Sequence, residues 1–292
     1  MKLSKNTASI DSFENPEYTF KLLKDCGFSA ADYNGACCKK DFFGHRIYDF
    51  SDKEFDAYFD KVKNAADKYG IDIAQTHATF ECVFPRGDAG EYEKYCIIRC
   101  VRATSILGAP IMVTHPLSPN SFEEESPSER RATMRLNREF FTDLLEEAHK
   151  YGVKIALENM PGVKALTGST EYLAEYLDMM KSDIFGVCLD TGHAHCSGHS
   201  CADMARAFAD RLFCLHIHDN HGPNPKYADE HLPVGLGSID WDAFFTALRD
   251  INYAGTINLE NEWYKIPAET LSDACKLDAK IVMHYMEKYD LV

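Results

Sequence analysis

No stretch of this 292-residue chain approaches the roughly eighteen consecutive apolar residues that a membrane span needs. The opening, MKLSKNTASIDSFENPEYTF, lacks the apolar core of a secretory signal, so a cytoplasmic protein without a membrane partner is expected. The eleven cysteines contain no Cys-x-x-Cys and one adjacent pair, Cys37-Cys38. Scattered through positions such as Cys188 and Cys214, they read as reduced core thiols and not as a disulfide framework. Positive charge is also scarce, with 31 Lys and Arg against 46 Asp and Glu and a formal net charge of −15. Binding a phosphate backbone needs a basic footprint, so nucleic acid is a poor default partner.

What the chain does have is a steady alternation of short apolar runs with longer amphipathic stretches, without a composition break or linker. That alternation predicts βα units around a parallel sheet. Strands are expected at 2–10, 28–33, 71–76, 111–114, 153–157, 185–189, 213–217 and 255–259. Helices are expected over about 16–26, 52–69, 91–107, 129–151, 169–181, 201–210 and 268–289, with one more entered at Ser238 as N-cap. Eight strands and eight helices make an α/β fold, a (β/α)8 TIM barrel in a single domain over 1–292, the economical reading.

In such a barrel the C-terminal ends of the strands and the loops after them form the active face. Six successive strands, the third to the eighth, run into His77, His115, Glu158, Asp190, His216 and Glu260. A single carboxylate at a strand end is ordinarily a helix cap or an ion-pair partner. Six ligand-type residues in series are harder to explain that way, and a closed ring is what gathers them about one axis. The densest stretch, FCLHIHDNHGPNPKYADEHLPVGLGSIDW at 213–241, holds His216, His218, Asp219, His221, Asp229, Glu230 and His231. Imidazole with carboxylate is the donor set of zinc, manganese or cobalt, the other reading being a polar surface loop whose histidines cap backbone groups.

Glu158, Asp190, His216 and Glu260 suit a divalent ion, Mn2+, Co2+, Mg2+ or Zn2+, held by rigid elements with coordination positions left open. Glu158 and Glu260 would flank a substrate, one taking a proton next to a carbonyl and the other returning it, through an enediolate that the ion stabilises. His193 is read as a ligand, a substrate contact or a surface histidine, and His195 and His199 as surface histidines. Asn159, His218, Trp241, Glu262 and Trp263 lie near strand ends, where polyol contacts and structural roles are both open.

These residues resemble the xylose isomerase-like TIM barrels, a family that includes ketose 3-epimerases, hydroxypyruvate isomerase, inosose dehydratase and endonuclease IV. The resemblance covers essentially the whole chain and is densest in THATF at 76–80, VTHP at 113–116, LEN at 157–159, LDTGHAH at 189–195, LHIHDN at 215–220 and DEHLPVGLGSIDW at 229–241. It implies a metal-dependent isomerase or epimerase of a small sugar or polyol derivative, a sugar lyase or dehydratase being a close variant. One metal ion would sit on Glu158, Asp190, His216 and Glu260, the two glutamates acting as acid and base, with His193 and His77 near the substrate. The endonuclease branch implies instead a three-zinc phosphodiesterase site, whose further ligands fall on His77, His115, His193, Asp229 and His231. Against that branch stand the −15 charge and loops whose basic residues are Arg86 after the third strand and Lys226 after the seventh. Where ketose epimerases often carry an Arg after the histidine ligand, this chain has Pro223-Asn224-Pro225-Lys226. Barrels of this kind often pair through their outer helices, so a homo-oligomer stays open.

Overall fold

The computed structural model describes all residues except 9, 11–14, 35–46, 80–87, 119–125, 162–167, 224–228 and 264–265. Cys37-Cys38, Arg86, Lys226 and most of the acidic loop before the fourth long helix therefore lie outside the described residues. Eight parallel strands form one sheet: β1 (Leu3–Asn6), β2 (Ala30–Tyr33), β3 (Asp72–His77), β4 (Ile111–Thr114), β5 (Lys154–Glu158), β6 (Phe185–Asp190), β7 (Leu212–His216) and β8 (Ile257–Leu259). Their order is β7-β6-β5-β4-β3-β2-β1-β8, and the two edges meet. Ile217 closes the seam, its N–H donating to Asn258 O at 2.8 Å while its carbonyl accepts the Glu260 N–H at 3.0 Å. The result is a (β/α)8 barrel, whose strands read as short apolar runs because helices cover the outer face of the parallel sheet.

The helices are α1 (Pro16–Cys26), α2 (Asp52–Tyr69), α3 (Asp88–Ile106), α4 (Pro127–Tyr151), α5 (Thr170–Met180), α6 (Thr191–Cys196), α7 (Cys201–Ala207), α8 (Trp241–Asp250) and α9 (Leu271–Lys288). Ser51 with Glu54 and Ser126 with Glu129 form capping boxes that start α2 and α4, and Gly70 and Gly152, at φ 64° and 68°, end them in the left-handed region. Two local features differ from expectation. The short helix α6 occupies what reads in sequence as a loop, and it is started by Asp190 itself. Ser238 does not cap α8: its hydroxyl meets His195 Nε2 at 2.8 Å, and the Ile239 N–H is held by Asp219 at 3.1 Å, so the chain turns helical two residues later. Asp240 is the cap, accepting the Ala243 N–H at 2.9 Å. Asp240→Ala is expected to cost about 1 kcal/mol, read as a lower midpoint in urea, whereas Ser238→Ala should leave α8 intact.

Inside the barrel the floor beneath the strand ends is divided. Alternation along the strands carries Val113, Ala156, Cys188 and Cys214 below His115, Glu158, Asp190 and His216, and these four form a small apolar cluster of their own. Under β1, β2, β3 and β8 the equivalent positions are Ser4, Asp32, Gln75 and Asn258, all fully buried and joined by hydrogen bonds. Among the described residues Cys26, Cys188, Cys201, Cys214 and Cys275 are buried free thiols. Among the described residues no helix is long and apolar enough to cross a membrane.

Candidate metal centre

The sheet places each ligand-type side chain. His77, Glu158, Asp190 and His216 are the last residues of β3, β5, β6 and β7, with Asp190 in register with His216, while His115 and Glu260 lie just beyond β4 and β8. All six are at most 8% exposed, so each polar atom must find a partner within the protein or in a ligand.

Glu158 stands at the centre. Its Oε2 lies 3.1 Å from His77 Nε2 and 3.2 Å from His115 Nε2, and its Oε1 lies 3.2 Å from His193 Nδ1 and 3.5 Å from His216 Nδ1. Burial works to raise this carboxyl, but His216, His115 and His193 outweigh it and hold Glu158 well below the usual carboxylate range. For His115 burial prevails over the attraction of Glu158 and lowers the imidazole, which favours the neutral ring that a metal needs. Glu260 is shared as well, its Oε1 accepting from Asn6 Nδ2 at 2.9 Å while Oε2 lies 2.9 Å from His216 Nδ1.

Asp190 does two things at once. Its Oδ1 accepts the His193 N–H at 2.6 Å, capping α6, and its Oδ2 lies 3.0 Å from His218 Nε2. The helix cap therefore explains half of this carboxylate and leaves the other half facing imidazoles. A second knot adjoins it, where Asp229 Oδ2 lies 3.0 Å from His193 Nε2 and 2.8 Å from His231 Nε2. The His218 and His231 rings stack with centroids 4.0 Å apart at 9°. His231 has φ 47°, a backbone region that favours glycine, and it is kept there by the pairing of Leu232 with Asp219 (2.7 and 3.0 Å) and of its own Nδ1 with Glu260 O (3.1 Å).

The far nitrogen of each ring decides which nitrogen the site receives. His77 Nδ1 lies 2.8 Å from Ala78 O, His193 Nδ1 2.8 Å from Asn159 O and His231 Nδ1 3.1 Å from Glu260 O. A carbonyl only accepts, so Nδ1 carries the proton and Nε2 turns to the carboxylates. His216 is reversed: Nδ1 faces Glu158 and Glu260, and Nε2 lies 3.0 Å from Asp32 Oδ2.

Among the described residues, donor atoms within 4.8 Å of one another fall into three groups: His77, Glu158 and His216; Glu158, Asp190, His216 and Glu260; and His193, His218, Asp229 and His231. Neither His216 nitrogen makes a directed hydrogen bond to another described residue, although the ring is fully buried between carboxylates. Such a ring is costly unless a cation takes up the site-facing nitrogen, so the four-residue group around it fits a divalent ion in donor type and geometry.

The nine ligand-type residues read from the sequence all take part in this connected set of contacts. His218, read as a polyol contact, lies among the donors. Two others take structural places: Asn159 is fully buried and clasps β5 to β6 through the Asp190 backbone (2.7 and 2.9 Å), and Trp241 is buried with its indole N–H on Asp219 at 2.9 Å. His195 turns to Ser238, and His221 pairs with Glu230 at the surface. Asp219 belongs to no donor group and fastens the loop. Sequence reasoning passed over Asp32 and Asn6; the available signal was a carboxylate inside an otherwise apolar strand, which burial makes costly without a purpose.

A model of the family described as xylose isomerase-like TIM barrel matches residues 20–278. Over 227 residues the chain is 29% identical to the uncharacterised protein MJ1311 of Methanocaldococcus jannaschii, covering 76% of this chain and 72% of that protein. It is 31% identical to an inosose isomerase of Bacillus subtilis over 51% of this chain, and spans about half, 54%, of that relative. It is 30% identical to a probable endonuclease 4 of Geotalea daltonii over 62% of this chain and 67% of that protein. Among solved structures, a D-tagatose 3-epimerase-like protein superposes with a TM-score of 0.76 at 22% identity, over 99% of this chain and 98% of that one. The IOLI protein with a bound zinc atom superposes with a TM-score of 0.73 at 21% identity, over 99% of each. At those identities the likeness is one of fold.

Proposed function

The chain belongs to the xylose isomerase-like TIM barrel family, and from that premise we propose that it is a divalent-metal-dependent isomerase or epimerase of a small sugar or polyol derivative. The observation that carries this reading is the convergence of Glu158, Asp190, His216 and Glu260 from four neighbouring strands, with their donor atoms within 4.8 Å. The names of an inosose isomerase and a D-tagatose 3-epimerase-like protein among its relatives support the substrate class. A divalent ion, Mn2+, Co2+, Mg2+ or Zn2+, would supply Lewis acidity there, drawing on a carbonyl and its neighbouring hydroxyl and steadying the negative charge of an enediolate.

The chain's own groups do the rest. Glu158 stays anionic because its neighbours are imidazoles, which keeps an oxygen available to accept a proton. Glu260 has Oε1 fixed by Asn6, so its Oε2 has one orientation from which to take or return a proton. With a carbon held between the two, loss to one carboxylate and return from the other inverts or relocates the C–H bond. The test is wash-in of solvent deuterium at a carbon next to the carbonyl, followed by NMR over a panel of ketoses and inososes. Exchange is expected with at least one of them, and a panel without any would defeat the proposal.

A second reading, a trinuclear zinc phosphodiesterase, has its own observation in the three adjoining donor groups and in the partial likeness to a probable endonuclease 4. The −15 charge opposes it. Metal per chain separates the two: about one ion supports the isomerase, and about three zincs with cleavage of an abasic-site oligonucleotide support the phosphodiesterase.

On this second reading, which makes His231 a ligand, metal uptake should release protons. Burial works against the His231 imidazolium, but Asp229 outweighs it and raises the group to about 10, above its ordinary value of 6.5. The metal-free protein therefore keeps His231 protonated through neutral pH and loses that proton only as pH rises through about 10, whereas a ligand imidazole must be neutral. Affinity at this group should fall as pH drops, by about tenfold per unit for each proton displaced. Calorimetry in two buffers of different ionisation enthalpy measures the release, and identical heats in both would contradict it.

A further inference from the structure

We infer that Asp32 is the positioning residue for His216, its carboxylate charge facing Nε2 at 3.0 Å and leaving Nδ1 turned to the metal position. This inference rests on the metal reading of the four-residue group given above. Asp32 lies on β2, fully buried in the barrel floor, and its Oδ2 is 3.0 Å from His216 Nε2. The same oxygen accepts from Gln75 Nε2 at 3.0 Å and from Asn258 Nδ2 at 3.1 Å, and Asn258 Oδ1 in turn accepts from Ser4 Oγ at 2.9 Å. Four side chains from β1, β2, β3 and β8, none of them exposed, thus converge below one imidazole. A carboxylate in a barrel floor is expensive, and the apolar half of the same floor, Val113, Ala156, Cys188 and Cys214, shows that the fold can do without one. Gln75 and Asn258 are uncharged and hold the carboxylate in a fixed orientation, which leaves His216 as the group that can use its charge.

The contrast with the other rings sharpens the assignment. His77, His193 and His231 rest on backbone carbonyls and offer Nε2, while His216 rests on a carboxylate and offers Nδ1. A carboxylate facing Nε2 favours the proton on that nitrogen and also makes the ligating nitrogen a stronger donor. His216 belongs to two of the donor groups, so the orientation of this ring bears on either of them.

The test compares zinc affinity, by competition with a chromophoric chelator, in the wild type, Asp32→Asn and Ser4→Ala. Asp32→Asn keeps the shape of the side chain and removes its charge, and is expected to weaken zinc by about 10–100-fold with the thermal melt still cooperative. Ser4→Ala touches the same network one residue removed and should leave the affinity unchanged. Equal affinity in Asp32→Asn and wild type overturns the inference, as does an equal loss in both variants, which would mean that the floor merely has to be intact. A second measurement needs no variant: a long-range 1H–15N correlation of the zinc-loaded wild type should show His216 protonated at Nε2, and a proton at Nδ1 overturns the role. A wild type that binds no divalent ion overturns the metal reading itself, a result distinct from loss of the Asp32 role alone.

Discussion

Glu158→Gln is expected to cut the rate of deuterium wash-in by about 10²–10⁴-fold and to lower the metal content of the purified protein. Four imidazole nitrogens stand 3.1 to 3.5 Å from the two oxygens of this side chain. The amide would keep its volume while replacing one acceptor with an NH2 group and removing the anion that the rings surround. Glu260→Gln makes the informative comparison. Glu260 enters one donor group and Glu158 two, so the Glu260 variant should lose exchange to a similar degree but retain more metal. Exchange rates and metal per chain, each checked against an unchanged far-ultraviolet CD spectrum, decide the matter. A Glu158→Gln protein with wild-type exchange and metal content would remove the residue from the mechanism.

Asp219→Ala should give the largest loss of stability among single changes near the site, about 3–5 kcal/mol, seen as a fall in melting temperature on the order of 10 °C. The carboxylate is fully buried and accepts four N–H groups: Asn220 N at 2.9 Å and Ile239 N at 3.1 Å on Oδ1, and Gly235 N and Trp241 Nε1, both at 2.9 Å, on Oδ2. Truncation to alanine leaves all four donors facing an apolar gap. Its backbone pairs with Leu232, beside His231 and close to Asp229, so the same change loosens the group formed with His193 and His218. A melt within about 2 °C of wild type would refute the clasp. Gly237 is tied to the same carboxylate, since a Cβ there would stand 2.3 Å from Asp219 Oδ1 and 2.5 Å from Asn220 O.

The barrel was legible because its strands are buried on both faces and its helices on one, so the two periods alternate visibly along the chain. The strand ends were legible for the same reason: a His, Asp or Glu that terminates an apolar run stands out against it, as His77, Glu158, Asp190 and His216 do. Period two even hints that His218 lies on the same side as His216. What the one-dimensional pattern lacks is direction. Nothing in GSIDW tells whether Ser238 or Asp240 meets the helix, because the choice depends on Asp219, some twenty residues back, holding Ile239 out of it. Trp241 is open in sequence to a polyol contact or a structural role, and its indole N–H is bound by that same carboxylate. Asp32 sits in β2 as one acid among 46 acidic residues, and its relation to His216 arises only when β2 and β7 face each other across the closed ring.

Glu158 belongs to two donor groups at once, its oxygens turned to His77 and His115 on one side and to His193 and His216 on the other. A single carboxylate shared in this way makes the two occupancies statistically dependent. Were both groups to take an ion, the first would fix the rotamer of Glu158 and neutralise part of its charge, so a second would meet a site altered by the first. The free energy of that interaction is reciprocal: what an ion beside His77 does to the affinity beside Asp190, an ion beside Asp190 does to the affinity beside His77, by the same factor. If more than one ion binds, a metal titration should therefore resist description by independent sites, and the departure from that description would measure how far one carboxylate lets two ions sense each other.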